Sequence, residues 1–144
     1  MSAHSTNLIT SAHATFHCLT GCMIGEILGL LIGVGLAIGV AQTIALCFVL
    51  AFFFGFMLAT IPIMRREGMT FRQAFQVVWL GEVVSITVME IVMNLVDYLI
   101  GGIQSGSIFA PIFWIGMMVA IPAGFLAAWP VNHWLLKRQI KKCH

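Results

Sequence analysis

From Cys18 to Met64 the only formally charged side chain is Glu26, and from Tyr98 to Leu136 there is none. Stretches that long and that apolar do not fold in water as a small domain. They suit helices crossing a hydrocarbon layer about 30 Å thick, which takes about 20 residues per span at 1.5 Å of rise each. Only 8% of the 144 residues are charged, against roughly a quarter in soluble domains, and mean hydropathy is +1.03. A soluble domain is therefore excluded. The 60% hydrophobic content excludes a disordered chain. The fold class that follows is all-α, a polytopic transmembrane bundle.

Charges and turn residues divide the chain into four spans. The first is expected over about 18–39 and the second over 43–63, with Val40-Ala41-Gln42 as the turn of an antiparallel hairpin. Arg65-Arg66-Glu67-Gly68-Met69 then interrupts the apolar run. Thr70 and Gln73 have the spacing of a capping box that opens a third helix over 71–100. Gly101, Gly102 and Gly106 end it, and the fourth span runs over 108–136, with Pro122 as a kink site. Residues 17–136 form the membrane domain, 1–16 a polar N-terminal segment and 137–144 a basic tail.

All seven positive residues fall on one side of this topology: Arg65, Arg66 and Arg72 between spans two and three, and Lys137, Arg138, Lys141 and Lys142 after span four. The positive-inside rule makes that side, and both termini, cytoplasmic. Trp79, Trp129 and Trp134 fall near the inner boundary and Trp114 near the outer one, as interfacial aromatics do. The apolar run after the N-terminal segment is too long for a signal-peptide core, so no cleaved signal is expected. Two small basic clusters make no nucleic-acid-binding face. The four cysteines read as free thiols, since they are too few and too clustered for a disulfide framework.

The acids carry the functional signal. Of five, only Glu67 lies in a loop; Glu26, Glu82, Glu90 and Asp97 lie inside spans. A charge at mid-bilayer costs at least about 2.5 kcal/mol on insertion scales, and no Lys or Arg lies at their depth. These carboxyl groups must face the bundle interior and carry a proton, share one, or hold a cation; Asp97, near the outer boundary, could also be solvated.

Helical spacing groups the remaining candidates. Cys18, Cys22 and Glu26 recur every fourth residue and form one ridge of span one; Gly21, Gly25, Gly29 and Gly33 form a second, which lets another helix approach closely. On span three Glu82, Ser85, Met89, Glu90, Met93 and Asp97 fall within an arc of roughly 140°. The opposite face, Val83, Val84, Val88, Val92, Leu95 and Leu99, suits lipid. His133 follows Pro130-Val131-Asn132 near the cytoplasmic end of span four. Cysteine, histidine and methionine together favour Cu(I), and thiolate with imidazole also suits zinc. His17, Cys18, Cys22, Glu26, Met89, Glu90, Met93 and His133 are the candidate ligands, with His4, His13, Cys143 and His144 on the tails as further cytoplasmic donors. The plainer alternative is that the thiols and thioethers pack as small and adaptable hydrophobes.

Phe16-His17-Cys18-Leu19-Thr20-Gly21-Cys22 with Ile24-Gly25-Glu26, then Met89-Glu90 with Met93-Asn94, then Pro130-Val131-Asn132 with Trp134, resembles a prokaryotic membrane family designated domain of unknown function 4396. The resemblance covers about residues 16–138. It implies a four-helix integral membrane domain, sometimes associated with copper handling, without an established activity; with the orientation above, the expected location is the inner membrane of a prokaryote.

The expected function is binding of a soft metal ion, Cu(I) before zinc, with His17, Cys18 and Cys22 as primary ligands. Glu26, Glu82, Glu90, Met89 and Met93 would continue a path for transport or for transfer to a partner such as a cytoplasmic metallochaperone. Two alternatives belong to other classes: a haem-binding subunit using His17 and His133, and a structural subunit or homo-oligomer held by the glycine ridge. An enzyme is less expected, because no phosphate-binding loop or base and nucleophile pair has a recognisable spacing. Thiol oxidation at Cys18 and Cys22 lacks an outer cysteine pair, which Cys47 alone does not supply.

Overall fold

A computed structural model describes residues 2–138, the side chains of 2–7 and 10 excepted, as four helices: α1 (Ser2–Gly35), α2 (Val40–Glu67), α3 (Phe71–Ile100) and α4 (Pro111–Lys137). There is no strand among the described residues. Each helix holds a stretch long and apolar enough to cross a membrane: Ser11–Gly35, Val40–Glu67, Phe71–Ile100 and Pro111–Lys137. The chain is a multi-pass membrane protein built as an all-α four-helix bundle.

The third helix has the limits read from the sequence. Its capping box is complete: Gln73 N donates to Thr70 Oγ1 at 3.4 Å and Thr70 N donates to Gln73 Oε1 at 3.0 Å. At its other end Gly101, at φ 97°, donates to Tyr98 O, and Gly102 N closes on Asp97 O at 3.0 Å. Those two bonds make a Schellman ending, which needs the left-handed conformation that glycine adopts without strain.

The first hairpin differs from its expectation. The turn lies at residues 36–39, not at Val40-Ala41-Gln42, which belong to α2. Ile38 N bonds Gly33 O at 3.0 Å and Ala37 N bonds Val34 O at 3.1 Å, so α1 also ends in a Schellman motif. Its left-handed position is held by Ala37 (φ 54°), an alanine that gave no stop signal in the sequence. At the opposite end α1 extends upstream through the segment read as a polar tail, and its apolar span already begins at Ser11. Span four starts at Pro111, whose ring suits the first helical turn, and α4 continues through both Pro122 and Pro130.

The glycine ridge of α1 is the seam of the hairpin. A Cβ built on Gly21 would stand 2.6 Å from Gly55 Cα, one on Gly29 would stand 2.8 Å from Cys47 Cα, and one on Gly25 would overlap the Ala51 backbone. At Gly33 the neighbour is instead the Thr43 side chain. These pairs descend α1 as they climb α2, so two backbones run antiparallel in direct contact. The ridge is thus occupied within the chain by α2 and offers no face to a second copy. α4 presents its own line of small buried residues, Gly116, Ala120, Gly124 and Ala128, toward the interior. Gly124 leaves room for Met89 and Met93, and Gly116 leaves room for Asp97.

Candidate functional site

The interior face of α3 is polar over most of its length. Glu82, Ser85, Met89, Glu90, Met93, Asn94 and Asp97 are all buried, a rise of about 22 Å between the first and last at 1.5 Å per residue. Residues at spacings of three and four share one helical face, so the arc read from the sequence is the face turned inward.

α1 lies alongside this face and runs parallel to it, the relationship expected of first and third helices in an alternating bundle. Cys18 Sγ stands 3.3 Å from Ser85 Oγ, and Asn94 Nδ2 donates to Glu26 Oε2 at 3.3 Å. The sequence separations are 67 and 68, so the two helices keep one register across both rungs. Between them Cys22 lies against Cys18 and within reach of the Glu82 and Glu90 carboxyl groups.

Two chemically distinct groups result. The softer one is the buried cluster that brings Cys18 and Cys22 of α1 together with Met89 and Met93 of α3, closed by Ala51 of α2 and by Ala120 and Ala128 of α4. The harder one is the Glu26, Glu90 and Asn94 set. The single Asn94 amide nitrogen reaches Glu26 Oε2 at 3.3 Å, Glu90 Oε2 at 3.2 Å and the Glu90 carbonyl at 3.0 Å. Glu26 and Glu90 are themselves in hydrogen-bonding reach of one another. No donor reaches Glu26 Oε1, Glu90 Oε1 or Asn94 Oδ1, although all three atoms are buried. Cys47 of α2 approaches from behind, its thiol donating to the Glu26 carbonyl at 3.8 Å.

Asp97 is only 1% exposed and so is not solvated. Its carboxyl group sits against the Gly102 and Gly116 backbones at the end of α3 that carries the glycine turn. Arg65, Arg66, Arg72, Lys137 and Arg138 are all exposed, so no Lys or Arg among the described residues enters the interior.

The histidines stand apart from this set. His17 is exposed, and its Nε2 donates to the Leu58 carbonyl of α2 at 3.0 Å, away from the neighbouring Cys18 thiol. Adjacent helical residues point about 100° apart, which is why two side chains consecutive in sequence serve different faces. His133 is partly buried, and α4 meets α1 instead through Asn132 Nδ2, which donates to Thr15 Oγ1 at 2.9 Å, and Trp129 Nε1, which donates to Ser11 Oγ at 3.1 Å. His13 is exposed; Cys143, His144 and the His4 side chain lie outside the described residues. Cys18, Cys22 and Cys47 are free thiols. No three His, Cys, Asp or Glu side chains among the described residues are grouped to hold a metal ion, so any metal bound by the soft cluster would draw on the methionines or be two-coordinate.

Sequence spacing did not single out Asn94 or Ser85 as partners of α1: Ser85 falls at one edge of the inward arc, and Asn94 lies about 40° beyond the other at 100° per residue. It also passed over Thr43, Cys47, Ala51 and Gly55, whose four-residue repeat of small side chains is the complement of the α1 glycines. A family model described as Domain of unknown function (DUF4396) matches residues 9–141, and the chain belongs to that family. No curated protein and no solved structure matches it.

Proposed function

We propose that this member of the DUF4396 family binds Cu(I) inside the bundle, between Cys18 and Cys22 of α1 and Met89 and Met93 of α3. The observation that carries the reading is the packing of two thiols and two thioethers into one buried cluster. Thiolate and thioether sulfur select Cu(I) over harder ions, and zinc is the second ion that paired thiolates would take. His17, turned to α2, is not part of this ligand set. Glu82, beside Cys22, together with Glu90, Glu26 and Asp97, extends the buried polar face along α3 and supplies a route on which a cation could move between the two ends of the bundle.

The excess of Lys and Arg on the α2 to α3 loop and after α4 orients those ends toward the cytoplasm, in the inner membrane of a prokaryote. A cytoplasmic metallochaperone would then exchange the ion at the end of the bundle where Cys18 lies.

Competition titration with a chromogenic Cu(I) chelator on the detergent-purified chain tests the assignment. One Cu(I) per chain is expected for the parent, and the C18S/C22S double variant is expected to lose it. Equal affinity in parent and double variant overturns the ligand assignment.

A further inference from the structure

We infer that His17 clamps the proline break in α2: its ring N–H stands in for the backbone donor that Pro62 lacks, and so locks the open end of the α1 and α2 hairpin. In a helix the amide of residue i donates to the carbonyl of residue i−4, and proline has no amide proton to give. Pro62 lies inside α2, so the carbonyl left without its helical donor is that of Leu58. That is the carbonyl which His17 Nε2 reaches from α1, at 3.0 Å and across 41 residues of sequence. A carbonyl cannot donate, so Nε2 carries the proton and the ring is the donor.

Lipid makes this repair necessary. His17 and Leu58 both lie within apolar spans, Ser11–Gly35 and Val40–Glu67, and His17 is exposed on the surface of the bundle. Hydrocarbon offers no hydrogen bond to a freed backbone group, so a neighbouring helix has to supply one. The seam sets the position from which it comes. Gly33, Gly29, Gly25 and Gly21 abut Thr43, Cys47, Ala51 and Gly55, and His17 is the next member of the same four-residue series. Four rungs leave no room for a side chain; at the fifth α1 carries a ring, which meets α2 through a hydrogen bond. With the Cys18 thiol turned to Ser85 of α3, the two neighbours fix the rotation of α1 about its own axis from two sides. The clamp needs no metal, so it stands or falls independently of the copper reading.

The test is a double-mutant cycle on the detergent-purified full chain, with a chelator present and no copper, read as the unfolding equilibrium constant in SDS. H17F keeps an aromatic ring and removes the donor. It is expected to raise that constant about tenfold in the parent, the effect of leaving one carbonyl unsatisfied. P62A returns an amide to the Leu58 carbonyl, so in the P62A background H17F should raise the constant by about twofold or less. H17Q, whose side-chain amide can donate, should lie near the parent. An H17F effect of the same size with and without Pro62 overturns the inference, as does an H17F protein as stable as the parent. Should P62A fail to fold, H17F against H17Q decides: equal destabilisation by the two overturns the clamp, and stability kept by H17Q alone supports it.

Discussion

Asn94 on α3 reaches across to Glu26 on α1 at 3.3 Å, and with the same nitrogen holds Glu90 one turn below on its own helix at 3.2 Å. One amide thereby joins the two helices that carry the acids. Removing the donor leaves two buried carboxyl groups without it, at about 1–3 kcal/mol for an unsatisfied buried polar group. N94A should lower stability by that amount, measured by thermal or SDS-induced unfolding in detergent. Adding E26Q should recover part of the loss, because a glutamine amide donates to Glu90; equal destabilisation of N94A and N94A/E26Q would contradict this.

The α1 to α2 seam admits no side chain at its glycines. G25L would force the hairpin apart against the Ala51 backbone and should destabilise by about 3 kcal/mol or more, at or beyond the upper end of overpacking effects. Gly35, where a Cβ would meet nothing within 4 Å, is the matched control. G35A should leave the melting temperature unchanged or raise it, since glycine in a helix is about 1 kcal/mol worse than alanine.

Ala37 holds the left-handed position of the first turn, a conformation that costs an L-residue roughly 1–2 kcal/mol. A37G should therefore stabilise the hairpin, by about 1 kcal/mol once the added freedom of the unfolded glycine is subtracted. A fall in melting temperature would contradict the strain.

Copper binding should respond to acidity in one direction. Thiols bind as thiolates and release their protons, so affinity falls as pH falls, by up to about 100-fold per pH unit if both Cys18 and Cys22 ligate. A pH series of chelator competitions reads the slope, and a flat profile would remove the thiols from the ligand set.

Orientation is tested at two exposed positions, Arg66 in the last turn of α2 and Gln104 in the α3 to α4 turn. In a background lacking native cysteines, R66C should resist a membrane-impermeant maleimide in intact spheroplasts, while Q104C should be labelled. The reverse pattern would invert the topology.

What the sequence made legible was whatever depends on period and charge. Four spans, the limits of α3, its capping box, the inward arc from Glu82 to Asp97 and the close-contact role of the α1 glycines all follow from spacing. The first turn is not legible because its stop residue is alanine: the hydrogen-bond pattern of the Schellman motif, not composition, ends α1. His17 and Cys18 are neighbours in the chain, which groups them in the sequence, but the helix sends one to α2 and the other to α3. The importance of Asn94 comes from its position opposite Glu26, a relation between helices that no single-helix periodicity contains.

The glycine seam also decides which parts of the bundle are free to move. Backbones in contact at three successive turns, with the Thr43 side chain seated on Gly33 at the fourth, leave little slack for sliding, so α1 and α2 behave as one rigid strut. α3 meets that strut through side chains, at rungs of thiol, hydroxyl, amide and carboxyl groups, and rotamer changes are enough to loosen such contacts. Any rearrangement that spares the seam therefore falls to α3 and α4, against a fixed α1 and α2 wall.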